Sequence, residues 1–93
     1  MESILDMHAI FDGVVQGVGF RMTAKYHAEA LGLKGTVYNL PDGRVEVHAQ
    51  GPKKDLDNLV HRLKTQAGSA KITSVDVHFQ APTRSYKDFR IVH

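Results

Sequence analysis

The strongest chemical signal in the chain is a glycine-containing loop that is followed at once by an arginine. The loop residues are Gln16, Gly17, Val18, Gly19 and Phe20, and the arginine is Arg21. Two glycines spaced two apart predict a sharp loop, in which backbone N–H groups approach an anion without an intervening Cβ. The guanidinium of Arg21 matches phosphate oxygens, and an arginine in the first turn of a helix opposes the helix dipole unless an anion offsets it.

The same residues have a plain structural explanation. A tight connection between a strand and a helix often contains two glycines, and its arginine can simply be exposed. The loop lacks the third glycine of a dinucleotide fingerprint and the Gly-Lys-Ser/Thr ending of a P-loop. The spacing alone therefore leaves anion binding and a purely structural connection open.

Asn39 is the second candidate, because it lies at the end of a predicted strand, just before a Leu-Pro-Asp-Gly turn. Asparagine is also an ordinary turn residue. However, a crossover helix makes the first and second strands parallel, so that their carboxyl ends meet at one edge of the sheet. We therefore expect Asn39 near the glycine loop, where its amide can orient a water or a carbonyl through one donor and one acceptor.

Hydrophobic periodicity and turn residues predict seven elements around these positions. Phe20, Ala24, Ala28 and Leu31 share one helix face, and Gly32 is suited to end that helix in the left-handed conformation. The predicted elements are a strand from Met7 to Val15, a helix from Phe20 to Leu31, strands from Lys34 to Asn39 and from Arg44 to Gln50, a helix between Pro52 and Gly68, a strand from Ile72 to Gln80, and a last strand within Tyr86 to His93.

This order, β-α-β-β-α-β with a short terminal strand, is typical of the ferredoxin-like (split βαβ) α+β sandwich. We expect a mainly antiparallel sheet with the first and third strands central and both helices on one face. The first six residues are expected to form a flexible leader, and residues 7–93 a single domain. Because many functions use this arrangement, the fold by itself does not identify an activity.

Two longer runs carry a family resemblance. The run from Phe11 to Arg21, Phe-Asp-Gly-Val-Val-Gln-Gly-Val-Gly-Phe-Arg, resembles the first signature of the acylphosphatase family. The run from Gly35 to Val45, continuing to Gly51, resembles the second. The similarity extends over nearly the whole chain after residue 6, including both helices and the ending Phe-Arg-Ile-Val-His. Two long signatures in the right order are much more specific than a glycine loop or an asparagine alone.

The resemblance implies a hydrolase that cleaves the carboxyl–phosphate anhydride of small acyl phosphates. It implies that Arg21 binds the phosphate, that the backbone of Gln16 to Phe20 cradles it, and that Asn39 positions the attacking water. It also implies no metal, no cofactor and no phosphoenzyme. Two positions depart from the family pattern: Thr36 replaces a usual aromatic residue, and Tyr38 replaces a basic or amide side chain. We also expect the C-terminal carboxylate of His93 to orient Arg21.

Composition excludes several other classes. The chain has 93 residues, a net charge of +2 and no cysteine, which rules out disulfides, thiolate zinc sites and a cysteine nucleophile. No apolar run approaches the ~20 residues of a membrane helix, and the acidic N-terminus does not resemble a secretory signal. We expect a cytoplasmic monomer that acts on a small molecule and does not bind membranes.

Three alternatives remain weaker. His48 and His78 fall on outward strand faces and could be neighbours, but solvent-facing strand residues explain them better than a metal site does. His8 and His27 likewise show no feature that favours a metal site. RNA-recognition domains share this strand order, but they need aromatic residues on the central strands, and Arg44 to Gln50 has none. A non-catalytic anion-binding module is the third alternative.

Overall fold

The computed structural model describes residues 3–93, and its elements follow the predicted order. The seven elements are β1 (Ile4–Val14), α1 (Phe20–Ala30), β2 (Lys34–Asn39), β3 (Val45–Pro52), α2 (Lys53–Thr65), β4 (Lys71–Gln80) and β5 (Phe89–Ile91). The five strands form one sheet in the order β4-β1-β3-β2-β5. The β1–β3, β1–β4 and β2–β3 pairs are antiparallel, and the β2–β5 pair is parallel. The predicted ferredoxin-like α+β fold is therefore confirmed.

Both helices cover the same face of the sheet, because their apolar stripes enter one hydrophobic core. The rings of Phe11 on β1 and Phe20 at the start of α1 lie 5.2 Å apart between centroids, and both residues are fully buried. From α2, Leu56, Leu59 and Leu63 reach the same core. Neither helix is long and apolar enough to cross a bilayer.

The end of α1 follows the predicted glycine stop. Gly32 has φ +71°, a conformation that glycine adopts without a Cβ clash. The N–H of Gly32 donates to the Glu29 carbonyl, and the N–H of Leu33 donates to the Ala28 carbonyl, which is the Schellman pattern. Leu33 is buried in the core. The chain therefore turns directly from α1 into β2, which fixes where β2 begins.

Several predicted boundaries were wrong, including those of β3, which spans Val45–Pro52 instead of Arg44 to Gln50. β1 begins at Ile4, not Met7, because Ile4, Leu5 and Asp6 continue the ladder with β3; the expected leader is thus shortened, and residues 1 and 2 of it lie outside the described residues. β1 also ends at Val14, one residue early. The last strand covers only Phe89–Ile91, the three residues that pair with Gly35 to Val37 of β2. β4 begins at Lys71, one residue before the predicted start.

Candidate active site

Three of the five predicted loop residues lie around one cavity together with Arg21 and Asn39, whereas Gln16 and Val18 do not line it. The cavity has a volume of about 210 Å³ and is lined by Val15, Gly17, Gly19, Phe20, Arg21, Met22, Asn39, Ile91 and His93. The loop connects β1 to α1, Asn39 ends β2, and Ile91 ends β5. The carboxyl ends of β1, β2 and β5 therefore meet at this edge, as the crossover argument requires.

The loop holds its backbone in a conformation that suits glycine. Gly17 has φ +75° and Gly19 has φ +77°. Gly19 is the N-cap of α1, no side chain caps the helix, and its first turn contains no acidic residue. The first N–H groups of a helix have no partner within the helix, so this end of α1 presents donors and a positive dipole toward the cavity.

Arg21 stands next to the buried Phe20, whose ring anchors the first turn of α1 in the core. Within residues 3–93 no ion pair engages the Arg21 guanidinium, and its recorded contact is from Nη1 to Nδ1 of His93 at 3.3 Å. Arg44, in the nearby turn, behaves differently, because its Nη2 lies 2.7 Å from Oδ2 of Asp42. Arg21 therefore keeps donors for a ligand anion, whereas Arg44 is neutralised by its neighbour.

The Asp42–Arg44 pair also changes the local charge. The side-chain hydrogen bond from Arg44, and then its backbone hydrogen bond, hold the pKa of Asp42 below its usual value, and the same pair raises the pKa of Arg44. Both side chains are exposed, so this pair contributes little to stability. Its consequence is that the turn after Asn39 adds no net charge beside the cavity.

Gln16 performs a task that the sequence did not reveal. Its Nε2 donates to the Leu40 carbonyl at 2.8 Å and to the Arg44 carbonyl at 3.0 Å. These bonds join the loop before α1 to the turn after β2, the two segments that carry Arg21 and Asn39. Only its backbone was predicted to act. The sequence did show a polar side chain with two N–H donors among apolar and glycine neighbours. Its acceptors lie 24 and 28 residues away in the chain, so the sequence could not identify them.

The chain end enters the site through β5. Pairing of β5 with β2 continues as a hydrogen bond from the Val92 N–H to the Val37 carbonyl at 2.9 Å, which leaves His93 beside Arg21. The expected partner was the C-terminal carboxylate, but the contact found is with the imidazole ring. Met22 and Ile91 also line the cavity without having been predicted. They supply apolar surface, which fits an organic acyl group better than a bare anion.

The chemistry of the lining is that of an anion site. It combines a guanidinium, an uncapped helix N-terminus, a primary amide and apolar side chains, with one imidazole and no carboxylate side chain. This lining offers few ligand atoms for a metal ion, but it offers many hydrogen-bond donors for phosphoryl oxygens.

Comparison with known proteins gives one consistent result. A family model described as acylphosphatase matches residues 7–91. An acylphosphatase of Chlorobaculum tepidum is 41% identical over 86 residues, which are 92% of this chain and 94% of that protein. One of Alkalilimnicola ehrlichii is 52% identical over 68 residues, which are 73% and 76% of the two chains. The crystal structure of acylphosphatase from Bacillus subtilis matches with a TM-score of 0.92 and 37% identity, over 96% of this chain and 99% of that one.

Proposed function

The chain belongs to the acylphosphatase family and is a hydrolase of acyl phosphates, and we propose that Arg21 with the loop 16–20 binds the phosphoryl group while Asn39 positions the attacking water. The observation that supports these roles is the shared cavity, which is lined by Gly17, Gly19, Arg21 and Asn39. Residues 18 positions apart in the chain meet there because β1 and β2 end at the same edge.

The reaction needs little covalent help from the protein. Water attacks phosphorus, the bond from phosphorus to the bridging oxygen breaks, and the carboxylate leaves; an acyl phosphate dianion and water give a carboxylate and dihydrogen phosphate. Because phosphoryl transfer passes through a loose transition state, catalysis depends mostly on positioning and on stabilising charge. A carboxylate is a good leaving group, so no acid needs to protonate it.

Each element has a distinct part in this mechanism. Arg21 and the N–H groups at the start of α1 stabilise the three phosphoryl oxygens, which carry the developing charge. The Asn39 amide holds water opposite the leaving group, which converts a bimolecular attack into an oriented one. The proton from water goes to a phosphoryl oxygen, since the cavity lining contains no carboxylate side chain and Nδ1 of its one imidazole, His93, accepts from Arg21. We propose that this chemistry requires no metal.

We also propose that the enzyme works as a monomer in the cytoplasm. One chain is sufficient to bring Gly17, Gly19, Arg21 and Asn39 around the cavity, and the absence of cysteine in the sequence fits a reducing compartment. Light scattering after size exclusion would give a mass near 10.3 kDa for a monomer, and a mass of twice that value would refute it. Fractionation of the native host cells would test the compartment.

Hydrolysis of benzoyl phosphate tests the proposed mechanism directly. The wild type should release benzoate and phosphate at equal rates with and without a chelator. Loss of activity with chelator would refute the metal-free mechanism. Phosphate binding without any turnover would instead identify a non-catalytic anion-binding module, and a shift of RNA at physiological salt would revive a nucleic-acid function.

A further inference from the structure

A second cluster of functional groups lies on the face of the sheet that the helices leave uncovered. His8 on β1, and Glu46 and His48 on β3, direct side chains toward one another. Nε2 of His8 lies 3.0 Å from Oε1 of Glu46, and Nε2 of His48 lies 2.9 Å from Oε2 of the same carboxylate. The two imidazole rings are stacked, with centroids 4.6 Å apart and planes inclined by 9°.

We propose that His8, Glu46 and His48 form a binding site for one divalent cation of the Zn²⁺ class. Two imidazoles and a carboxylate are ligands that zinc accepts, and the same donors suit Cu²⁺ and Ni²⁺. One candidate ligand atom from each residue lies within 4.8 Å of the others. Ligand atoms around tetrahedral zinc are separated by about 3.4 Å, so small side-chain rotations bring these three to that spacing.

The sheet itself fixes this cluster. His8 stands directly opposite His48 in the β1–β3 ladder, and Glu46 is two residues from His48 on the same strand. Alternate residues of a strand share a face, so the backbone register alone brings the three side chains together. Both strands are interior to the sheet. A site on rigid elements holds its ligands more accurately than one on loops.

One nitrogen of the cluster has no hydrogen bond. Although Nε2 of His8 is within ion-pair distance of Glu46, it is buried and forms no hydrogen bond with any of the described residues. A buried polar atom without a partner is destabilising. A metal ion between His8 and Glu46 would bind the lone pair of this nitrogen, which has no hydrogen-bond partner among the described residues.

The carboxylate is in the form that a cation needs. The side chain of Glu46 is only 13% exposed. A glutamate is ionised at neutral pH, and the ionised carboxylate is the form that binds a cation. A metal would have to displace the hydroxyl of Tyr38, which lies 3.2 Å from Nε2 of His48. Metal binding therefore competes with the contact between Tyr38 and His48, and a titration measures the net affinity.

The cluster is accessible and separate from the phosphate site. His8 and His48, but not Glu46, line a cleft of about 260 Å³, to which His78, Thr83, Arg84 and Tyr86 also contribute. This cleft shares no lining residue with the cavity that contains Arg21. The proposed metal site is thus independent of hydrolysis, and failure of one proposal leaves the other standing.

Zinc titration of the full chain, after treatment with a chelator and its removal, tests the site. Calorimetry in a non-coordinating buffer should show one zinc ion per chain. The melting temperature should rise by about 10 °C or more at a zinc concentration 100 times Kd. Replacing a ligand in His8→Ala, His48→Ala or Glu46→Gln should weaken binding at least tenfold, while benzoyl phosphate hydrolysis shows that each variant is folded.

Two histidines provide matched controls. His78 lies on the same face, opposite His8 in the β1–β4 ladder, and His61 is exposed on α2. His78→Ala and His61→Ala should each bind zinc within threefold of the wild type. The proposal is overturned if the wild type binds no zinc, if the three ligand variants bind as tightly as the wild type, or if His78→Ala loses as much affinity as His8→Ala. A second readout is the visible spectrum of bound Co²⁺, which should change in His48→Ala and not in His61→Ala.

Discussion

The guanidinium of Arg21 lies 3.3 Å from the imidazole Nδ1 of His93, 72 residues further along the chain. This contact exists because β5 pairs in parallel with β2 and delivers the chain end to the edge where α1 begins. The acceptor is a ring nitrogen, so the arginine is oriented without being neutralised. Its charge remains for the phosphoryl group, as a ligand-binding arginine requires.

His93→Ala should therefore lower kcat/KM for benzoyl phosphate by roughly threefold to tenfold, the effect of losing one exposed hydrogen bond to a charged group. His93→Asn offers another acceptor and should recover part of the loss. A few residues added after His93 displace the carboxylate but keep the ring. If such an extension reduced activity as much as His93→Ala, the carboxylate rather than the imidazole would be the partner of Arg21.

Gln16→Ala should weaken both the site and the fold. The variant leaves the carbonyls of Leu40 and Arg44 without the Gln16 donor, which costs about 1–2 kcal/mol in unfolding free energy. Since Gln16 joins the loop to the turn after Asn39, kcat/KM should fall by about tenfold as well. Urea unfolding and steady-state kinetics measure the two effects.

Gln66 provides the comparison, because this exposed glutamine follows α2. Gln66→Ala should leave kcat/KM unchanged. If Gln16→Ala kept full activity with lowered stability, the two bonds would serve the fold alone.

Gly19→Ala should separate loop conformation from general stability. An added Cβ at Gly19 meets no atom within 4 Å, so the cost arises from φ +77° alone and is about 1–2 kcal/mol. Gly43→Ala is the matched control, since Gly43 also has a positive φ and open space, but lies in the turn after β2. Both variants should lose similar stability. Only Gly19→Ala should raise the Kd for inorganic phosphate, which calorimetry measures, and equal phosphate affinities would contradict the anion loop.

Gly35→Ala should lower the free energy of unfolding far more than Gly19→Ala or Gly43→Ala does, because its added Cβ has no room. A Cβ at Gly35 would overlap the backbone carbonyl oxygen of His48 on the neighbouring strand, and φ is +152°. Backbone atoms of a sheet cannot move aside cheaply, so we expect a loss of about 3 kcal/mol or more. Gly32→Ala, at a positive φ with open space, should cost only about 1–2 kcal/mol. Similar urea midpoints for the two variants would contradict this explanation.

Sequence patterns predicted the parts of this molecule that depend on neighbours in the chain. The bounds of β2 and the start of α1 at Phe20 were predicted correctly, because a change of period and a glycine mark each of them. The start of β1 was not predicted correctly, because Ile4 to Asp6 are strand residues only through their pairing with β3. Chain order was sufficient to place Asn39 near the loop, although it gave no distances.

Features that depend on strand register could not be predicted. His48 and His78 were considered as neighbours, but β1 separates them and His8 stands between them in the sheet. The bonds of Gln16 and the ring contact of His93 join segments far apart in sequence for the same reason. Local patterns indicate which residues share a face, whereas pairing between distant strands decides which of them meet.

The central claim is that Arg21 and Asn39 perform different tasks in one cavity, and the kinetics of benzoyl phosphate hydrolysis test it most directly. Arg21→Ala and Asn39→Ala should each reduce kcat by 100-fold or more, the scale of losing one transition-state stabilising group. Only Arg21→Ala should also abolish competitive inhibition by inorganic phosphate. The controls Arg90→Ala, which removes an exposed arginine paired with Asp88, and Asn58→Ala, on α2, should match the wild type. Full activity of either Arg21→Ala or Asn39→Ala would contradict the account.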